Sequence, residues 1–568
     1  MKRTAVVLLS ILIGCFQVVS MLPVLNEDFL EILERELDQI LEKRSHHNDS
    51  LSSSSSSSSE EEEEDYLGSS TSGFPYIKGP ESFTDRIAIV GAGPSGVHMA
   101  LKLKEAGFSD VTVFEKEEEV GGKSKTLLYR DVVHEMGTCY SQPDYTELYR
   151  LLETYNAGDL RPLPSPTVWR GQDKLTSIQN MLAPAAEHLP DASLLEIKDE
   201  FMKAIHRYLD VHNDLFGNYE GELMPRPSRY TLKHDLNMTL LEFMTKHNVD
   251  ILANLFLQIQ TIQGYGHLDE IPALYGLTWM TSNFLLNLLK PPEGELSAVK
   301  ILSKGYQTLW KEIVDQENIN VRYSSPVRKI YRRKKENRRK GGKRRAAFEI
   351  HYDDRTGFRK GEPFDFLVLT PEMKLLSDLD IIDFNDEEMN LFERMNHHYY
   401  ATTLVDTTYG TNRGFTPQSF FADNTESKVD GKVWGKRDSY NSLVYNVGKQ
   451  YTDGLVPGAP DGRFEQTSVY YQFSKSLPEK EDLLEELVDH IRQRENAEVV
   501  NILDTNVWDY FPQFSVKDIA SGITWDIFDM QGKYGIWYAG SSVYFESVKS
   551  VLEYNNLIFR QYRLPESE

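Results

Sequence analysis

Between residues 86 and 115 the chain carries one arrangement that dictates a fold. Arg86-Ile-Ala-Ile-Val90 is a short, nearly unbroken apolar run, the pattern of a strand buried on both faces of a parallel sheet. It passes directly into Gly91-Ala-Gly93-Pro-Ser95-Gly96. In such a turn Gly91 permits a tight bend, Gly93 lets the backbone approach a pyrophosphate, and Gly96 lets the next helix pack on the strand. Residues 97–106 then read as that helix, whose first-turn amides and positive dipole end suit phosphates. A second strand, 111–114, ends in Glu115, 19 residues beyond Gly96, where a carboxylate takes a ribose hydroxyl pair. A glycine triplet alone is a weak signal. Strand, turn, helix, strand and acid in this order make a dinucleotide site.

Later segments say which dinucleotide. Val120-Gly121-Gly122-Lys123-Ser124 and His134-Glu-Met-Gly137 follow the acid. Ser325-Pro-Val327 precedes another strand, Phe364 to Thr370 follows, and Trp537-Tyr-Ala-Gly540 leads to a helix over 547–562. In these segments the sequence resembles the flavin-containing amine oxidase superfamily. The resemblance implies FAD, contacted at Gly91, Gly93, Ser95, Gly96 and Glu115, then at Gly122, Lys123 and Gly137. It further implies adenine held by backbone at Val327, and a flavin ring facing Gly540 and the helix start at Ser547 and Val548. Lys123 is placed on a phosphate. No cysteine lies near the C-terminus, so the FAD is expected to be non-covalent. The expected fold class is α/β: a Rossmann-type FAD-binding domain built from discontinuous segments (83–150, 300–372 and 525–568), with an inserted α+β substrate domain (151–299 and 373–524). Both insertions show helix-like patterns and many aromatics.

Three strings bear on activity: the run from Ile262 through Tyr265-Gly-His267 to Tyr275, then Trp508 to Phe514, then Asp529 to Tyr534. With Gly107-Phe108 and the Gly121-Gly122-Lys123 segment they resemble the FAD-dependent polyunsaturated fatty acid double-bond isomerases (polyenoic fatty acid and linoleate isomerases). That resemblance implies hydride abstraction from a doubly allylic carbon to flavin N5 and its return elsewhere, which moves double bonds into conjugation. The flavin itself is then the catalytic group, with no protein acid–base pair. Tyr265 and His267 are pocket candidates, although a hydrogen-bonded core histidine is an equal reading of His267. Arg161 and Arg170 are candidates to hold the fatty acid carboxylate, without a definite assignment. The alternative is an amine, amino-acid or prenyl-thioether oxidase releasing peroxide. Amine oxidases carry an acid after the C-terminal Ala-Gly where this chain has Ser541. A flavin-binding protein without turnover is the third reading.

Composition bounds the rest. A net charge of −25 over 568 residues argues against nucleic acid and anionic membrane surfaces as partners. Lys2 and Arg3, an apolar core from Ala5 to Phe16, and small residues near Ser20 read as a signal peptide over 1–20, so the protein is expected in the secretory pathway and to be exported as a glycoprotein at Asn48 and Asn237. No other run is long enough to span a membrane. Cleavage leaves Cys139 as the one cysteine, so no intrachain disulfide is expected. Residues 21–82 read as an acidic amphipathic helix followed by a Ser- and Glu-rich linker. The basic run from Arg328 to Arg345 reads as a solvated hairpin loop. The scattered histidines offer no metal set, and nothing indicates the oligomeric state.

Overall fold

The computed structural model describes residues 73–162, 167–170, 174–289, 299–333, 347–409, 418–438 and 464–566. The leader, the acidic helix, the linker up to residue 72, Asn48 and most of the basic run lie outside the described residues, as does the side chain of Arg170. Residues 73–82, read as linker, instead join the folded body, with Phe74 buried and Ile77 bridging to Tyr562.

The glycine motif opens a five-stranded parallel sheet. Its strands are β1 (Arg86–Val90), β2 (Asp110–Phe114), β3 (Asn320–Arg322), β4 (Phe366–Leu369) and β5 (Ile536–Tyr538), in the spatial order β5-β4-β1-β2-β3. All four pairings are parallel, with Ile87 beside both Val111 and Phe366. Ile87, Ala88 and Ile89 are wholly buried, as a doubly covered strand requires. Helix α1 (Pro94–Glu105) follows β1, and α2 (Val548–Gln561) packs beside it. Asn555 ties the two helices through Nδ2 to the Ser95 carbonyl at 2.9 Å. One sheet is thus assembled from chain segments more than 400 residues apart.

Residues 320–327 do not form one strand. Ser324 takes a left-handed φ of 47° and Pro326 follows, which together end β3. The chain restarts as Val327–Arg332 in a separate antiparallel sheet with Phe348–Asp353 and Arg359–Phe364. The start of the basic run, Arg328 to Arg332, is therefore part of a hairpin strand. Phe114 of β2 packs on Tyr352 and Phe364 of this sheet.

The first insertion is helical. Its longest helix, Leu194–Phe216, starts with a Ser193/Glu196 capping box, which satisfies two otherwise orphaned amides. The second insertion departs from its helix-like reading. Asn396–Tyr409, Phe464–Ser474 and Ala497–Gln513 are long antiparallel strands of a seven-stranded sheet. Tyr and Thr make up half of Asn396–Tyr409, and such residues fit a pleated, packed surface. Helix Lys480–Glu495 covers part of this sheet with Leu487 and Ile491. Among the described residues, no helix is long and apolar enough to cross a membrane.

Candidate active site

The turn after β1 is built around its glycines. A Cβ on Gly96 would lie 1.9 Å from the Gly91 carbonyl oxygen, so only glycine lets α1 start this close to β1. Gly91 has φ +93°, which favours glycine. Gly93 differs: its Cβ would meet nothing nearer than Gly122 Cα, 3.8 Å away. That open face is where a ligand can approach the backbone. Gly93 also caps α1, no side chain satisfies the helix's first amides, and the helix end attracts anions.

Around this turn the predicted contact residues assemble. Glu115 is buried, and its Oε2 accepts from the Ala92 amide at 2.7 Å while Oε1 accepts from the Glu117 amide at 2.9 Å. Burial raises its pKa, and those two amides oppose the shift. The Ser325 amide bonds the Glu115 carbonyl at 2.7 Å, which brings Ser325-Pro-Val327 beside the acid. Gly121 donates to the Ala92 carbonyl at 2.9 Å, laying Gly121-Gly122 across the turn. A Cβ on Gly137 would lie 1.7 Å from the Lys123 carbonyl oxygen, so that glycine is needed for the close approach of these two segments. Gly540, at φ +85°, presses on the Thr370 carbonyl. Ser547 caps α2 by accepting from the Ser550 amide at 3.0 Å, and Val548 begins the helix. Ser95 is tied to α2 through Asn555.

Lys123 follows the two glycines, but its ammonium lies on Glu546 Oε2 at 2.7 Å and over the Tyr510 ring. Glu546 precedes the α2 cap and also accepts from the Phe511 amide at 3.1 Å. Phe511 has a left-handed φ of 53°, a strained state for a bulky residue that points its N–H at Glu546. Motif reading did not single out Glu546, although it directly precedes the predicted Ser547.

Beside the start of α2 the walls turn aromatic. Tyr265 donates to the Glu546 carbonyl at 2.9 Å. Its ring packs within 5.1–5.2 Å of Trp279, Phe511 and Phe545 and stacks on Tyr510 at 5.8 Å. Burial holds the Tyr265 and Tyr510 hydroxyls well above their ordinary pKa, so both stay neutral. Tyr400 extends the stack at 5.3 Å from Tyr510. Trp279 and Phe545 sit in no motif. Their ordinary helix and loop surroundings hide a role that only packing reveals.

The structure separates the other pocket candidate from this wall. His267 faces Trp434 and Phe473 of the large sheet, at 5.3 and 6.2 Å. Burial pushes its pKa down to about 4, which leaves a neutral imidazole among aromatics. Arg161 lies on the strand Leu160–Pro162 and pairs with Asp159 at 3.4 Å. A buried guanidinium that motif reading passed over is Arg437, which donates to the Glu135 carbonyl at 2.6 Å and lies over Tyr471. Asn237 is exposed. Cys139 is a free thiol, pushed up to about 11 by burial. Among the described residues no group of three His, Cys, Asp or Glu side chains could hold a metal.

A parallel sheet with a glycine turn, an uncapped helix start, a buried acid on the second strand and a late helix closing the far end defines an FAD-dependent flavoprotein enzyme. The residues fit that cofactor, since the face over Gly93 is open and the flanking glycines admit no side chain. The profile of the family described as flavin containing amine oxidoreductase matches residues 94–457, and the chain belongs to that family. It is 21% identical over 494 residues to the polyenoic fatty acid isomerase of Ptilota filicina, covering 83% of this chain and 93% of the relative. Among solved structures, the CLA-producing fatty acid isomerase from P. acnes matches with a TM-score of 0.62 at 20% identity, covering 84% of this chain and 99% of the other. A putrescine oxidase mutant matches at 0.56 and 16%, covering 84% and 97%. These likenesses show the shared fold.

Proposed function

We propose that the protein isomerises polyunsaturated fatty acids, moving methylene-interrupted double bonds into conjugation without net oxidation. The observation that carries this reading is the neutral aromatic wall of Tyr265, Trp279, Tyr510, Phe511 and Phe545 at the start of α2. Bound FAD supplies a hydride acceptor that can also return the hydride. The chain's residues supply the surroundings. Ring faces favour a carbon skeleton that becomes electron-poor when hydride leaves, and aromatic packing excludes the water that would trap it. The tyrosine hydroxyls, held protonated by burial, offer no base to divert the reaction. Similarity to the polyenoic fatty acid isomerase along nearly its whole length supports the same choice.

The test is aerobic incubation of the yellow protein with arachidonate or linolenate, following ultraviolet absorbance and peroxide together. Conjugated diene or triene absorbance without peroxide is the expected result. Peroxide without conjugation would overturn the reading in favour of an oxidase. Silence on both, with FAD bound, would also overturn it and turn the search to amines or to a flavoprotein without turnover.

A further inference from the structure

Glu372 carries an oxygen that the protein leaves unmet. The residue is 8% exposed, and its Oε1 accepts a hydrogen bond from His397 Nδ1 at 2.7 Å. Its Oε2 is buried and has no hydrogen-bond partner among the described residues. A buried carboxylate oxygen without a donor is unfavourable, and such groups normally find one. His397 is held in turn, with Nε2 at 3.0 Å from the Tyr399 hydroxyl and 3.8 Å from Asp509. The Glu372 bond raises the His397 pKa against burial and the nearby Lys123 charge. The His397 ring thus backs the carboxylate on one side, while its other side faces no donor among the described residues.

The sheet order says what that donor is. Thr370 and Pro371 continue from β4 and wedge between two turns. A Cβ on Gly91 would lie 2.6 Å from Thr370 Oγ1 and 3.6 Å from Pro371, and one on Gly540 would lie 2.3 Å from the Thr370 carbonyl oxygen. Glu372 follows directly, so it stands at the carboxyl edge of the parallel strands, where doubly wound sheets bind ligands. Along that edge lie Glu115 after β2, the glycine turn after β1, Glu372 after β4, and Gly540 to Ser542 after β5. A dinucleotide with its adenosine ribose at Glu115 and its pyrophosphate at the glycine turn brings its ribityl chain to the edge of β4 and β5. There Ser542 Oγ is also buried without a partner among the described residues.

We propose that Glu372 is a direct ligand of bound FAD, its Oε2 accepting a hydrogen bond from a hydroxyl of the ribityl chain, with His397 as the positioning residue that holds the carboxylate. The assignment rests on FAD binding and is independent of the substrate. It is tested on stripped apoprotein by titrating FAD, and FAD analogues lacking the 2′, 3′ or 4′ ribityl hydroxyl, with flavin fluorescence as the readout and apoprotein melting as the check on folding. Glu372→Ala should weaken FAD by roughly tenfold to a hundredfold, the value of a hydrogen bond to a charged group. One of the three analogues should bind wild type and E372A about equally. If E372A does not fold, Glu372→Gln keeps the volume and should show the same dependence on one hydroxyl, with a loss of about threefold to tenfold as the charge assistance goes. His397→Asn, which returns a donor to Glu372, should keep more affinity than His397→Ala. The proposal is overturned if the folded Glu372 variants bind FAD like wild type, or if they weaken FAD and all three analogues by the same factor.

Discussion

Two glycines of one turn should respond to the same substitution in opposite ways. At Gly96 an alanine Cβ lies 1.9 Å from the Gly91 carbonyl oxygen. β1 and α1 must separate by roughly 1.5 Å to restore contact distance, an overpacking that costs about 1–3 kcal/mol. At Gly93 the backbone is extended at φ −72°, which any residue adopts, and the nearest atom to the new methyl is 3.8 Å away. Gly93→Ala should therefore leave apoprotein stability within ~0.5 kcal/mol of wild type. Its methyl instead stands on the face that a pyrophosphate approaches. Losing two backbone amide bonds to a charged phosphate, at about 1.5 kcal/mol each, removes roughly 3 kcal/mol, or ~100-fold in FAD affinity. Differential scanning fluorimetry of the stripped protein reads the first quantity, and FAD titration reads the second. If G93A melts as early as G96A and still binds FAD like wild type, the open face over Gly93 is not the phosphate site.

Acid should destabilise the protein through its buried imidazoles. His134, His267, His398 and His490 are each pushed down to about 4 by burial. Between pH 6.5 and 4 the native state then binds fewer protons than the unfolded chain, so stability is complete above 6.5 and falls as pH drops, on the order of 3 kcal/mol per group. Urea melts at pH 4.5 and 6.5 should show a smaller difference for His267→Gln than for wild type. Glu135 acts in the opposite sense: burial raises it to about 7, so its contribution is present below about 4.5 and lost as pH rises through 7. Because that slope opposes the histidines, Glu135→Gln should widen the difference between the same two melts. Tyr265→Phe removes one hydrogen bond to the Glu546 carbonyl and should cost ~1 kcal/mol with turnover largely kept, whereas Tyr265→Ala opens the wall and should abolish conjugation measured by ultraviolet absorbance. Lys123→Met leaves Glu546, with 11% side-chain exposure, unpaired. It should lower the melting temperature by the equivalent of about 1–3 kcal/mol, and an unchanged melt would mean that Lys123 serves the cofactor alone.

The cradle was legible because each of its residues answers a local demand. Gly91, Gly96 and Gly137 are needed where backbones nearly touch, and Glu115 ends a strand of recognisable pattern. Such requirements leave a trace within a few residues. The aromatic wall left only part of one: Tyr265 and the string from Trp508 to Phe514, with Tyr510 and Phe511, stand out, whereas Trp279 and Phe545 come from other segments and look like ordinary core residues until packed. Lys123 was found by its neighbours, but its partner Glu546 lies 423 residues away, beyond any local pattern. The split between Asn320–Arg322 and Val327–Arg332 was written in Ser324 and Pro326. The long strand Asn396–Tyr409 is Tyr- and Thr-rich rather than strictly alternating, because it pairs with a strand on each side and residues 400–407 are buried on both faces.

The bond from Asn555 to Ser95 joins residues 460 positions apart, and it has a consequence for the protein's life before it is finished. On the ribosome, β1, α1 and β2 emerge early, but β4, β5 and α2 follow only after several hundred further residues. At ordinary elongation rates of about 5–20 residues per second, the glycine turn waits tens of seconds for the elements that complete its sheet. During that interval the apolar strands have no lasting neighbours and the flavin has no complete seat. Cofactor capture is therefore a late event, and a ribosome stalled before residue 536 releases a chain that quality control meets as unfolded protein.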